Sequence, residues 1–334
     1  MWHVGIDLHR ATVVVAAVND AGEAMKPITI PCSDTVAIVS TVNALGTFRA
    51  VIEACGTYRW LYDLLRPHGT LLLAHPMRLR AMIQRRTKTD KLDAQLLANL
   101  LRIDQIPLAY IPPEPYQQLR DLTRCRARLG RQLAEVKIQL RALLARQNRE
   151  SPYRTPFGPR GLGWFRGQDF GLIEGMVRDE LLERFRHYAT QITLFDKRLE
   201  EVRQVFPQVE SLVDIHGIGL YSALLIVAEI GEVERFRSAK QVGAYSGLTS
   251  RVHQSGGHCY QGSITRQGSP WLRWVLVQAA MKAVHEDAAL KNFYSRIRKR
   301  SSAKIARVAA ARKLAEICWK RLRQWQREHA SQAV

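Results

Sequence analysis

The sequence predicts an α/β domain followed by a mainly helical region. Three observations carry this. Over the first hundred residues, short β-branched runs alternate with helical stretches. The run Ile111-Pro112-Pro113-Glu114-Pro115 then breaks the pattern. Beyond it, apolar residues recur at heptad spacing. The expected domains are 1–110, a helical coiled-coil region 111–210, a compact unit 211–290 and a basic helical tail 291–334.

The elements follow in order. Residues 2–8, 11–18 and 26–31 read as strands, with Asn19-Asp20-Ala21-Gly22 as a turn signal between the last two. A helix near 34–45, a strand at 50–54, a helix near 58–66, a strand near 70–74 and a helix from about 90 to 103 complete an α/β layer. A long helix is expected over 116–149, with Leu119, Leu122, Leu129, Leu133, Val136, Leu140 and Leu143 on its seam and Arg126 as one polar seam position. Residues 151–171 carry Pro and Gly clusters and read as a loop. A second heptad helix spans about 178–206 through Leu181, Phe185, Tyr188, Ile192, Phe195, Leu199, Val202 and Phe206. Two such helices suggest a coiled-coil arm, folded back or shared between subunits; ordinary helix-on-helix packing gives the same pattern. Asp214-Ile215-His216-Gly217-Ile218-Gly219 then leads into an apolar helix from Leu220 to Ile230. A Gly-x-Gly turn opening a helix can aim backbone N–H groups at phosphate, in the manner of a helix-hairpin-helix element, although most such turns are merely tight.

The charge is uneven. The chain carries a net charge of +20. Residues 76–154 hold 17 basic against 7 acidic residues, and residues 291–334 hold 13 against 2. Such stripes are the footprint of a polyanion partner, though basic clusters also serve solubility. The tail interleaves its basic residues with Trp319 and Trp325, a pattern suited to nucleic acid and also to a helical core. Five scattered cysteines without a CxxC pair argue for a reducing compartment and against a disulfide framework. No signal peptide and no apolar run of about 20 residues is present, so a cytoplasmic, membrane-free protein is expected.

Four acids carry the chemistry. Asp7 sits in Val4-Gly5-Ile6-Asp7, and Glu53 ends Ala50-Val51-Ile52-Glu53. On neighbouring strands they would lie near one edge of the sheet. A carboxylate in an apolar strand is costly unless paired or metal-bound. Asp90 and Asp93 lie three apart in Lys88-Thr89-Asp90-Lys91-Leu92-Asp93-Ala94, so they share a helix face. The other reading of this pair is a helix start, with Thr89 or Asp90 as N-cap and acids in the first turn. Together the four fit a ribonuclease-H-like site for a pair of hard divalent metals acting on a phosphodiester. Candidate nucleophiles lie in Gly247–His258, where Ser255 precedes Gly256-Gly257 on an expected loop; Ser250, Ser263 and Ser269 are rivals. His253, His258 and Cys259 form a weaker zinc alternative. Gly217, Gly219, Arg251, Arg266 and Arg273 are the candidate nucleic-acid contacts.

The motifs resemble those of the bridge-RNA-guided DEDD transposases, the insertion-sequence family numbered one hundred and ten. The resemblance rests on Gly5-Ile6-Asp7, Ile52-Glu53-Ala54-Cys55-Gly56-Thr57-Tyr58 and Lys88–Ala94. It continues through Ile215–Gly219, Phe236, Gly243–Thr249, Ser255-Gly256, Gly262–Gly268 and Leu272-Arg273. One departure is Ser250, where the family usually has Pro. The resemblance implies a RuvC-like catalytic domain, a coiled-coil region and a C-terminal transposase domain. It implies that Asp7, Glu53, Asp90 and Asp93 hold Mg2+ or Mn2+, and that Ser255 attacks DNA to form a phosphoserine intermediate. It further implies a composite site across subunits of a homodimer or dimer of dimers, and a structured guide RNA that pairs with donor and target DNA. Two other readings serve the same residues: a RuvC-like metal nuclease that uses water, and a non-catalytic basic nucleic-acid-binding protein.

Overall fold

The computed structural model describes residues 1–82, 89–255 and 258–329; of residues 253, 255, 258, 259 and 261 it describes the backbone alone. The chain divides into two compact units, Met1–Ile111 and Pro112–Val334.

The first unit is a five-stranded mixed sheet with helices on both faces. Its strands are β1 (Trp2–Leu8), β2 (Thr12–Asn19), β3 (Ile28–Pro31), β4 (Phe48–Glu53) and β5 (Thr70–Ala74), in the order β3-β2-β1-β4-β5. The first three strands are antiparallel, because tight turns join them; β1, β4 and β5 run parallel, because helices intervene. The intervening helices are α1 (Thr35–Asn43) and α2 (Tyr58–Leu65); α3 (Pro76–Met82) and α4 (Asp90–Arg102) follow β5. The short α3 is absent from the sequence expectation; it opens on Pro76, a residue tolerated at the first turn of a helix. Strand alternation sorts the side chains. Val4, Ile6, Leu8, Ala50 and Ile52 pack with Ile38, Leu61 and Leu65 on one face. Val14, Ala16 and Val51 meet α4 on the other, through Ala94, Leu97 and Leu101.

Two devices fix α4 on the sheet. Gly5 leaves room for its backbone: a Cβ there would lie 2.0 Å from the Ala94 carbonyl oxygen and 2.5 Å from the Ala98 nitrogen. At the far end, Arg49 donates to the Leu101 carbonyl at 2.6 Å and pairs with Asp104 at 2.7 Å. This places a cation on the helix's free carbonyls.

The second unit is helical with one hairpin. Its elements are α5 (Glu114–Arg146), α6 (Pro159–Arg166), α7 (Gly171–Arg203), a 3-10 turn Pro207–Val209, α8 (Glu210–Val213), α9 (Leu220–Ile230), a 3-10 turn Val233–Arg235 and α10 (Ala239–Tyr245). The hairpin β6 (Ser250–Ser255) and β7 (His258–Ile264) follows, then α11 (Pro270–Glu286), α12 (Ala288–Arg300) and α13 (Ala303–His329). Helices α5 and α7 lie side by side, and α5 also packs on α9. The polar seam residue Arg126 makes a two-pronged pair with Asp196 of α7 at 2.9 and 3.0 Å.

Two expectations need correction. Residues 151–171 do not form a bare loop: they contain α6, whose Phe165 is fully buried between α5 and α7 and stacks with Phe157. The expected loop around Ser255 is a β-hairpin, with Ser255 paired to His258 at its end.

The main core gathers α9, α11 and α13 around Leu225, Ile226, Leu276, Leu314 and Cys318. Glu229 lies in this core at 1 % exposure. Arg124 of α5 grips its carboxylate at 2.7 and 3.0 Å, and the Ser269 hydroxyl donates to it at 2.8 Å. Arg120 donates to the carbonyls of Ala228 and Glu229 at 2.7 and 2.8 Å. A buried charge persists only when its lone pairs are filled in this way.

Candidate active site

Parallel pairing of Ile6 with Ile52 leaves Asp7 and Glu53 as neighbours at the ends of β1 and β4. Both belong to the face that carries α4, since Ile6 and Ile52 face the opposite core. The first turn of α4 brings Asp90 and Asp93 to this edge. Thr89 is its N-cap and accepts from the Leu92 N–H at 3.3 Å. Both sequence readings of the acidic pair therefore describe the same turn: the acids favour the positive end of the helix and also face the sheet edge.

The tightest group is Asp7, His9 and Asp90, whose ligand atoms all lie within 4.8 Å of one another. His9 Nε2 is 3.0 Å from Asp7 Oδ2 and 3.2 Å from Asp90 Oδ1. Asp7 is buried, whereas Asp90 and His9 reach solvent, so the group is open on one side. Burial raises the Asp7 carboxyl above its usual range; His9 lowers it, and the charges of Asp93 and Asp90 raise it further. Glu53 and Asp93 flank the group, on the next strand and one helical turn on. Oxygen-rich donors at this spacing, half open to solvent, fit a hard divalent cation that keeps positions free for water or phosphate.

Sequence reasoning missed His9. The signal was there: it follows Asp7 by two residues, the spacing that puts side chains on the same side of a strand.

In the second unit, Ser255 closes β6; its side chain, with those of His253, His258 and Cys259, lies outside the described residues, as do Gly256 and Gly257. Among the rivals, Ser269 is committed elsewhere: its hydroxyl caps α11 by accepting from Leu272 N–H at 3.1 Å while donating to Glu229. Ser250 opens β6, and Ser263 lies exposed on β7. Arg251 is exposed on β6. Arg266 has a left-handed φ of 54° just after β7. Arg273 donates to the Ser246 and Arg266 carbonyls at 3.1 and 3.3 Å. Burial lowers the Arg273 pKa, and the charge of Arg266 lowers it further.

Gly217, at φ 85°, is required by packing: a Cβ would lie 2.6 Å from the Ala279 carbonyl oxygen of α11. Gly219 caps α9 and faces open space. Among the described residues, no helix is long and apolar enough to cross a membrane.

Comparison with known proteins bears on this arrangement. Residues 4–148 match the DEDD transposase domain of the IS110 family, and residues 209–295 match the domain described as Transposase IS116/IS110/IS902 family. The chain is 26% identical to the y4qE protein of Sinorhizobium fredii over 80% of its own length, and spans 64% of that relative. It is 27% identical to the pilin gene-inverting protein of Moraxella bovis, over 83% of this chain and 81% of that one. It is 23% identical to the transposase for insertion sequence element IS1111A of Coxiella burnetii, over 95% of this chain and 88% of that one. Both matched domains occur here in one chain, one spanning the acidic sheet edge and the other the hairpin: the protein belongs to the IS110 family of transposase enzymes.

Proposed function

We propose that this protein is an RNA-guided DNA recombinase that moves an insertion sequence through a phosphoserine intermediate. The observation that carries the reading is the convergence of Asp7 and Asp90, flanked by Glu53 and Asp93, at the open edge of a mixed sheet in a transposase chain. Asp7, Glu53, Asp90 and Asp93 would hold a divalent ion, Mg2+ or Mn2+, which would supply Lewis-acid polarisation of the scissile phosphate. The Ser255 hydroxyl attacks the phosphorus. The bond to one DNA oxygen breaks, that strand leaves as a free hydroxyl, and the other stays esterified to serine. The ester conserves the bond, so rejoining needs no external energy source. Ser255 is the last residue of β6, and a serine activated by a base or a metal is a nucleophile. Gly219, Arg251, Arg266 and Arg273 contact backbone phosphates, and Gly217 shapes the turn before α9.

Base pairing with a structured guide RNA selects donor and target DNA, so the protein needs to hold only backbones. The α5/α7 pair acts as a coiled-coil arm, and subunits combine as a homodimer or dimer of dimers to complete the site. A cytoplasmic setting suits the unpaired cysteines, of which Cys32, Cys55, Cys125 and Cys318 are free.

The test mixes protein, co-purified RNA, Mg2+ and end-labelled element-junction DNA on a denaturing gel. A labelled band at protein size, lost with Ser255→Ala and with Asp90→Ala, is the expected result. Cleaved DNA with no attached protein would replace this reading with a water-using RuvC-like nuclease.

A further inference from the structure

We propose that His9 is a ligand of the metal centre, joining Asp7 and Asp90, and that it biases the site toward first-row transition ions over Mg2+. This rests on the metal-dependent reading above and deepens it.

The backbone fixes His9 on both sides. Its N–H donates to the Thr12 carbonyl at 2.9 Å in the β1–β2 turn, and its carbonyl accepts from the Cys32 thiol at 3.6 Å. Its ring can therefore be aimed by the strand end rather than by a floppy loop. Nε2 points between the two carboxylates, 3.0 Å from Asp7 Oδ2 and 3.2 Å from Asp90 Oδ1.

Those separations suit coordination. For octahedral bonds of about 2.1 Å, adjacent donors lie about 3.0 Å apart. An ion can thus replace the shared hydrogen bonds with little movement of the three side chains. The ring edge is also accessible, since the His9 side chain is 44 % exposed. An imidazole nitrogen among oxygen ligands alters selectivity. It adds little for Mg2+, which prefers oxygen donors, and more for ions further along the series from Mn2+ to Co2+ and beyond.

The experiment uses the full-length protein and Mn2+ alone. Binding is followed by loss of the free-ion EPR signal, and pulsed EPR then looks for 14N modulation from a coordinated imidazole. The expected result is bound Mn2+ with 14N modulation. In His9→Gln the modulation should vanish and the dissociation constant should rise by about tenfold or more, the scale of losing a metal-site contact. Co2+ should follow the same loss, while Mg2+, read by competition with Mn2+ in both proteins, should weaken less. A circular-dichroism melt checks that His9→Gln is folded. Bound Mn2+ without 14N modulation would overturn the role of His9 and leave the metal reading intact. Tighter metal binding in His9→Gln would show that the imidazole competes with the ion, and would likewise overturn it. No Mn2+ binding by the folded wild-type chain would overturn both.

Discussion

Gly5→Ala tests how closely α4, the helix that carries Asp90 and Asp93, is seated. The added Cβ would lie 2.0 Å from the Ala94 carbonyl oxygen, 2.5 Å from the Ala98 nitrogen and 2.9 Å from Leu97 Cβ. Ordinary contact begins at 3.4 Å, so α4 must retreat by more than 1 Å or β1 must bend away. Two of the three clashing atoms are backbone, so no side chain can rotate to relieve them. Overpacking of this kind costs about 1–3 kcal/mol. The larger effect falls on the site. The same helix carries Asp90, which sits 3.2 Å from His9 Nε2, and a misplacement of about 1 Å at a reacting centre can cost about 10²-fold in rate. The assay pairs a thermal melt with the yield of covalent protein–DNA adduct. The expected outcome is a modestly destabilised protein with a disproportionate loss of adduct. Gly163→Ala is the matched comparison: it lies in α6 with nothing within 4 Å of its Cβ, and should stabilise by about 0.5–1 kcal/mol without affecting adduct yield. A Gly5→Ala protein with wild-type stability and wild-type yield would refute the reasoning.

Three further outcomes are expected. In metal-free protein, the Asp7 pKa lies above its unfolded value of 3.8 because of burial; its contribution to stability is therefore fully present at low pH and is lost as pH rises from about 3.8 through the folded value. Melts in EDTA across pH 3 to 8 should show Asp7→Asn gaining on the wild type as pH rises, with the Mg2+-induced stabilisation of the wild type missing in the variant. Glu229→Ala takes the acceptor from the buried Ser269 hydroxyl and from Arg124, whose side chain is 30 % exposed, and should cost about 1–3 kcal/mol by chemical denaturation; no measurable loss would contradict the cluster's role. Burial pushes the Cys318 thiol up to about 12, so at pH 8 it should resist Ellman's reagent until the protein is unfolded, whereas the half-buried Cys32, Cys55 and Cys125 react earlier.

Much of the first unit was legible because β-branched runs and their turn signals coincide. Strands at 2–8, 50–54 and 70–74 and the helix from 90 fall within two residues of β1, β4, β5 and α4. The meeting of Asp7 with Asp90 was legible from strand ends and helix spacing. The place of His9 beside them is not legible from a pattern of carboxylates, since its nitrogen donor lies two residues beyond Asp7. The hairpin at Ser255 was read as a loop because Ser, His, Gln and Gly have weak strand preference; pairing between β6 and β7 supplies what propensity lacks. In the 151–171 segment, Pro and Gly signals hid Phe157, Trp164, Phe165 and Phe170, four aromatics that a solvated loop has no reason to carry. The heptad stripe of α5 divides its burial between α7 and α9, a split that one-dimensional spacing does not encode.

The Glu229 cluster has a consequence for the order of events during synthesis. Arg124 and its carboxylate partner are 105 residues apart in the chain, and Ser269 follows Glu229 by another 40. At about 5–20 residues per second, α5 leaves the ribosome about 5–20 s before the acid that neutralises it. During that interval the first unit has every residue it needs to close, while Arg124 of α5 has yet to meet its acid. The second unit therefore becomes self-consistent only when α11 has been made. A nascent chain arrested before Ser269 would carry a complete sheet domain and a helical unit whose buried acid still lacks its hydroxyl donor.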